Sequence, residues 1–207
     1  HQKIHKTITC GETWHDTLKF KNHLGETLWL DCRVKPLLDD EANFRGHIAI
    51  YSDTSAYQKY KDALRLLATV KANEWLFNKL VNIVSASLEL SWVGIGLRHN
   101  KADTIELLGL SKQGESAPPY HYHLSGTPCQ KVIADKSRLC VSSNATTAYP
   151  DAAFLIDAKA SFYIGLPLVD ADENTIGIIW GLHNSAKKLS SLDDKLLKLA
   201  CNRAAME

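Results

Sequence analysis

The chain reads as an α+β protein in which a mixed or antiparallel sheet is flanked by helices. Three observations predict this. The first quarter alternates apolar and polar residues with a period of two. At Ser52-Asp53-Thr54-Ser55 the period lengthens to a helical one. The remainder runs helix, strands, helix, strand, long connection, two strands and a last helix, which is the order of a single sheet with helices packed on it.

The first elements are strands. "TWHDTLKF" runs into a turn at "KNHLGE", where Gly25 supplies the positive φ that a tight reversal needs. "TLWLDCRV" then places Leu28, Leu30, Cys32 and Val34 on one face and Trp29, Asp31 and Arg33 on the other. Pro36 closes this strand or marks an edge. After the turn "DDEANFRG", "HIAIYS" completes a three-stranded antiparallel meander. Its apolar face must be covered, because exposed it would promote aggregation. The expected cover is the following helix or a second copy of the chain.

Asp53 and Ser55 are both plausible N-caps for that helix. Tyr57, Tyr60, Leu64, Leu67 and Lys71 recur at alternating spacings of three and four, a short coiled-coil-like seam. Neither Gly nor Pro occurs between Asp53 and Val93, so one helix is expected to continue through "EWLFNKLVNIVSASLEL". Beyond it, "SWVGIGLRH" and "DTIELLGL" are strands joined at "NKA", "QGESAPPY" is a loop and "HYHL" a short strand. "TPCQKVIADK" is a helix, with Thr127 at the N-cap, Pro128 at the first helical position and Gln130 closing a capping box. "RLCVS" is a strand and "NATTAYPDAAFLIDAKA" a connection with a helical turn. "SFYIGLPLVD" and "NTIGIIWGLH" form a hairpin across "ADE". The last helix starts at Ser190 or Ser191, with Asp193 and Asp194 near its positive end.

Composition narrows the function. The chain has 207 residues, 45% of them hydrophobic and 23% charged, with a formal net charge of +1. That is globular composition without the basic field that holds nucleic acid or an anionic membrane. No apolar run approaches the roughly 20 residues of a membrane span, and no signal peptide opens the sequence. Five scattered cysteines, with no Cys-x-x-Cys, fit a reducing cytoplasm better than a disulfide framework.

The stretch "HYHLSGTPCQKV" offers the sharpest local chemistry. Cys129 near a helix N-terminus, with His121 and His123 close by, has the ingredients of an activated thiol. The two histidines with Cys129 or Cys140 have the residue types of a metal site, without the spacing of a known zinc module. The same residues also read as punctuation between a strand and a helix, with solvent-facing or core histidines and neither catalysis nor metal. That is the reading adopted here.

"YHLSGTPCQKVI", "RLCVS", "YPDAAFL" and "ASFYIGLPLVDADENTIGIIWGLH" followed by a helix resemble a GAF domain over residues 72–207. "GETWHDTLKFKNHLGETLWLDCRVKPLLDDEANFRGHIAIYSDTS" resembles the C-terminal (PAC) half of a PAS domain within residues 1–54, its exit motif here being Asp53-Thr54-Ser55. Residues 55–71 then correspond to a signalling linker helix. The resemblance implies a cytoplasmic sensory piece of a larger bacterial signalling protein, not an enzyme. It would self-associate through the linker helix and the PAS remnant. Its output domain, a GGDEF diguanylate cyclase or a histidine kinase, lies outside the sequence. The implied small-molecule pocket lies between the sheet and the connection from Val141 to Ser161, with Tyr122, Cys140, Tyr149, Phe154, Tyr163 and Trp180 as candidate contacts. The residues single out no cofactor: bilin lacks a Cys-His pair, haem would rest on one of His121, His123 or His183, and "NSAKKLSSLDD" carries Leu189 where cyclic-nucleotide GAF domains have Phe. Two alternatives remain. One is a GAF-like methionine sulfoxide reductase using Cys129 and Cys140; the other is an interaction module without ligand.

Overall fold

A computed structural model describes residues 2–25, 27–71, 75–99 and 103–207. The chain divides into two compact units, 1–61 and 62–207. The turn assigned to Asn100-Lys101-Ala102 falls outside the described residues.

The first unit opens with α1 (Gln2–Thr9), a helix the alternation pattern had not announced. The expected meander follows as β1 (Trp14–Lys21), β2 (Thr27–Leu38) and β3 (Phe44–Asp53), antiparallel and in that spatial order. Gly25 sits at φ +81 in the first reversal. In the second, the Asp39 carboxylate accepts from the backbone N–H groups of Glu41 and Asn43 and from the Arg45 guanidinium. The Asn43 backbone bond, the largest cause, holds that carboxyl below its usual range. Cys32 and Val34 are buried while Leu28 and Leu30 are half-buried. α1 packs across β1 and β2 and buries Ile8, so part of the apolar face is covered within the unit. β3 is an outer strand of this sheet, with Ile48 and Ile50 exposed.

The expected unbroken helix is corrected to two. α2 (Ser55–Thr69) crosses the boundary of the units, and α3 (Leu76–Leu88) begins afresh after Trp75. Val70 and Lys71 are not helical. The ending has a local cause. Thr69 Oγ1 bonds back to the carbonyls of Arg65 and Leu66, a pattern that weakens helices. The Arg203 guanidinium donates to the Val70 carbonyl, satisfying an acceptor that a continuing helix would have used.

The second unit is built on one sheet. Its strands are β4 (Trp92–His99), β5 (Thr104–Lys112), β6 (Glu115–Ser116), β7 (His121–His123), β8 (Leu139–Val141), β9 (Phe162–Val169) and β10 (Thr175–His183). Their order is β6-β5-β4-β10-β9-β8, with β7 also pairing β5. Every pairing is antiparallel, the second of the two expected alternatives. α3 and α7 (Ser191–Ala205) pack on one face of the sheet. The other face carries α4 (Pro128–Ala134), α5 (Ala145–Ala148) and α6 (Ala153–Asp157), so two layers of helix enclose the sheet.

The caps follow the sequence closely. Thr127 Oγ1 accepts from the Gln130 N–H, but the expected box closes only by half, since the Gln130 side chain accepts from the Gly126 N–H and the Thr127 N–H goes to the Leu124 carbonyl; Gly126 turns the chain at φ +76. Ser190 and Asp193 form a reciprocal capping box on α7. No helix among the described residues is long and apolar enough to cross a membrane.

Candidate functional site

The site grows from the sheet face under α4, α5 and α6. Trp180 on β10 pairs in register with Gly94 on β4. A Cβ at residue 94 would lie 2.4 Å from the indole Cζ2, so only glycine lets the ring lie across the neighbouring strand. Phe154 of α6 stacks on Trp180 with ring centroids 5.1 Å apart, and Tyr122 of β7 stacks on Phe154, also at 5.1 Å. Tyr120 continues the row, 6.1 Å from Tyr122.

Beneath this row lies a buried thiol between two phenols. The hydroxyls of Tyr122 and Tyr163 both donate to Cys129 Sγ, at 3.2 and 3.3 Å. Burial, the dominant cause, pushes the Cys129 thiol up to about 11. Burial and then the neighbouring Cys129 raise both tyrosines well above their ordinary value. All three groups are therefore neutral near pH 7, and the sulfur acts as an acceptor, not a thiolate. The Trp180 Nε1–H is fully buried, with the Tyr122 hydroxyl near enough to accept from it loosely.

Above Tyr122 and Phe154 a cleft of about 530 Å³ opens to solvent. Trp92, Lys112, Tyr120, His121 and His123 line it together with Asp151 and Asp157. Lys112 Nζ stands 4.1 Å from the Trp92 ring centre and 5.8 Å from that of Tyr120. Burial, then Cys129 and Asp157, push the Tyr120 hydroxyl up to about 12.

The structure brings together four of the candidate contacts, Tyr122, Phe154, Tyr163 and Trp180. Tyr149 packs at the edge of the same core and lines a separate cleft of about 490 Å³ against α4. Cys140 lies apart. Its neighbours Leu139 and Val141 face the core just described, so Cys140 faces the opposite side of β8, beside Arg138 and Asp194. The sheet thus separates Cys140 from Cys129, and all five cysteines are free thiols. His99 Nε2 and Glu106 Oε2 meet at 2.6 Å beside a smaller cleft of about 290 Å³ that His121 also lines. Among the described residues no group of three or more His, Cys, Asp or Glu is placed to hold a metal ion.

Trp92, Lys112, Tyr120, Asp151 and Asp157 were not among the candidates. Trp92 and Lys112 are direct cross-strand partners, but a register shift between Ile95 and Gly96 intervenes between them and the turn. The extra residue is on β5, so counting outward from the turn assigns Lys112 to the wrong face.

No family model and no curated protein matches the chain. Solved structures do match it. The GAF domain of a phosphoenolpyruvate-protein phosphotransferase from Coxiella burnetii aligns with 10% identity and a TM-score of 0.59, covering 74% of this chain and 92% of that one. The chromophore-binding domain of Stigmatella aurantiaca bacteriophytochrome, a Thr289His mutant in the Pr state, aligns with 10% identity and a TM-score of 0.56. It covers 92% of this chain and 72% of that one. Free methionine-R-sulfoxide reductase from Neisseria meningitidis, in complex with its substrate, aligns with 15% identity and a TM-score of 0.56, covering 72% and 89%. Further GAF domains recur among the matches, and the chain has a GAF-like fold.

Proposed function

We propose that the chain is a sensory, regulatory piece of a bacterial signalling protein and that its second unit binds a small organic ligand in the cleft above Tyr122 and Phe154. The observation that carries this reading is the cleft itself. It has the volume of a small-molecule site and an aromatic floor. A ligand acts as a signal only if it favours one arrangement of the protein over another. The short helix α6, which carries Phe154, and the strand β7, which carries Tyr122, are the parts a ligand would touch first. α2, which crosses from one unit to the other, is the proposed relay. It would join a PAC-type half to the ligand-binding unit and pair with its counterpart in a dimer, serving an output domain of GGDEF or histidine-kinase type. Thermal-shift screening against nucleotides, haem and small acids should find a stabilising compound whose effect is lost in Lys112→Met. Stabilisation by nothing in the screen would favour a ligand-free module. Light scattering after size exclusion should report a dimer, and a monomer at high concentration would count against pairing through α2.

The likeness to methionine sulfoxide reductases supports a second reading, in which cysteines reduce a sulfoxide. Such chemistry needs an accessible thiolate and a second thiol able to reach it. Cys129 is enclosed and protonated, and the sheet stands between it and Cys140. A reductase assay with Cys129→Ala and Cys140→Ala decides the matter: turnover lost only in those variants would establish the enzyme.

A further inference from the structure

We infer that the face of the first sheet turned away from Cys32 and Val34 docks an acidic amphipathic helix of a partner protein. The inference is independent of the cleft and its ligand. Strand register fixes which side chains share this face. His15 pairs with Arg33 and Lys19 with Trp29, while Arg33 pairs with Ile50 and Lys35 with Ile48. Directly paired residues lie on one side of a sheet, and every second residue along a strand repeats it. The Lys19 ammonium lies 5.4 Å from the Trp29 ring centre, and the Asp31 carboxylate lies 2.5 Å from His15 and 3.6 Å from Arg33, as this assignment requires. Two bands result. β1 and β2 carry the exposed cations Lys19, Lys21, Arg33 and Lys35, with Asp31 the one carboxylate on the face among the described residues. β3 carries Ile48 and Ile50, 50% and 59% exposed. The bands run side by side along the strands, about 5 Å apart.

This pairing of bands selects the occupant. A wholly apolar partner would bury Arg33 and Lys35 without counter-charges, a desolvation cost with no return. The same face of a second copy would set cations against cations. A phosphate backbone would neutralise the cations and leave the isoleucines without apolar contact. A helix with acids along one flank and aliphatic residues along the next satisfies both bands. The spacing agrees. Acids four apart on a helix are separated by a rise of about 6 Å, and Arg33 and Lys35, two apart on β2, by about 7 Å. Successive carboxylates therefore meet successive cations while the aliphatic stripe lies on Ile48 and Ile50.

Fluorescence anisotropy of labelled synthetic peptides with the full chain tests this. The probe is a helical peptide with glutamates and leucines in adjoining stripes. A scrambled peptide of the same composition and a peptide with lysine in place of glutamate are the controls. The patterned acidic peptide should bind, more weakly as salt rises. The scrambled peptide should bind roughly tenfold more weakly or worse, and the lysine peptide should not bind. Arg33→Glu with Lys35→Glu should weaken the patterned peptide by a similar factor, as should Ile48→Ser with Ile50→Ser. Lys131→Glu with Lys136→Glu, exposed on the second unit, should leave it unchanged. Far-ultraviolet dichroism will show that the variants fold, and Lys19→Glu with Lys21→Glu repeats the test on the neighbouring strand. Equal binding of the scrambled peptide, or binding indifferent to the Arg33 and Lys35 changes, overturns the inference. Phosphatidylserine vesicles or single-stranded RNA binding through Arg33 and Lys35, while the patterned peptide does not, overturns the protein partner. Binding by no probe overturns the docking face itself, and the reading of the cleft survives each of these results.

Discussion

At the scale of single residues the second unit depends on how tightly its interior is filled. Gly94→Ala sets a methyl group against the Trp180 indole. Relief requires the ring or the strand to shift, and the expected loss is about 1–3 kcal/mol, read from urea denaturation. Cys129 gives a pH signature whose sign is fixed. Its ordinary value is 9.0 and its folded value about 11. Below about pH 9 the thiol is neutral in both the folded and unfolded chain, and its contribution is complete. As pH rises from 9 to 11 the unfolded chain releases the proton while the folded chain keeps it, so stability falls, by at most about 1.4 kcal/mol per unit for this group. Cys201, pushed up to about 12 by burial, adds a decline of the same sense. The urea midpoint should therefore drop between pH 9 and 11, and Cys129→Ala should make the slope shallower. A midpoint that does not change across that window would mean the thiol is open to solvent.

At the scale of elements the helix ends hold testable energy. Ser190→Ala removes the side-chain half of the reciprocal cap on α7, leaving the backbone N–H of residue 190 on the Asp193 carboxylate, and should cost about 0.5–2 kcal/mol, visible as a lower melting temperature. These caps were legible because a Ser or Thr followed three places on by an acid or amide is a local signal. Thr127 with Gln130 is a second case. The meander and the β9–β10 hairpin were legible for a similar reason, since a period of two and a tight turn leave little choice of pairing. The end of α2 was not legible. The residues there contain no Gly or Pro, and what ends the helix includes Arg203, more than a hundred positions away. The aromatic row was half legible. Tyr122, Phe154, Tyr163 and Trp180 were nameable from their motifs, but Lys112 became part of the cleft only through a one-residue irregularity in the β4–β5 ladder, which has no mark in the sequence.

At the scale of the whole molecule the two units differ in what sustains them. The second contains nearly all the fully buried side chains among the described residues, while the first contributes Ile8, Cys32 and Val34. A chain limited to residues 55–207 is accordingly expected to unfold cooperatively, with the near-ultraviolet dichroism of a packed aromatic core. Residues 1–61 alone should give a shallow, non-cooperative melt, because a unit of that size with so small a core is marginal. The border strand β3 has a practical consequence. Its outer rim offers unsatisfied main-chain groups beside exposed isoleucines and bears no proline to interrupt it. Such a rim recruits its own kind by accretion, strand upon strand, as in the growth of a fibril. Prolonged storage of concentrated protein should raise thioflavin fluorescence, and a lysine in place of Ile50 should suppress that rise.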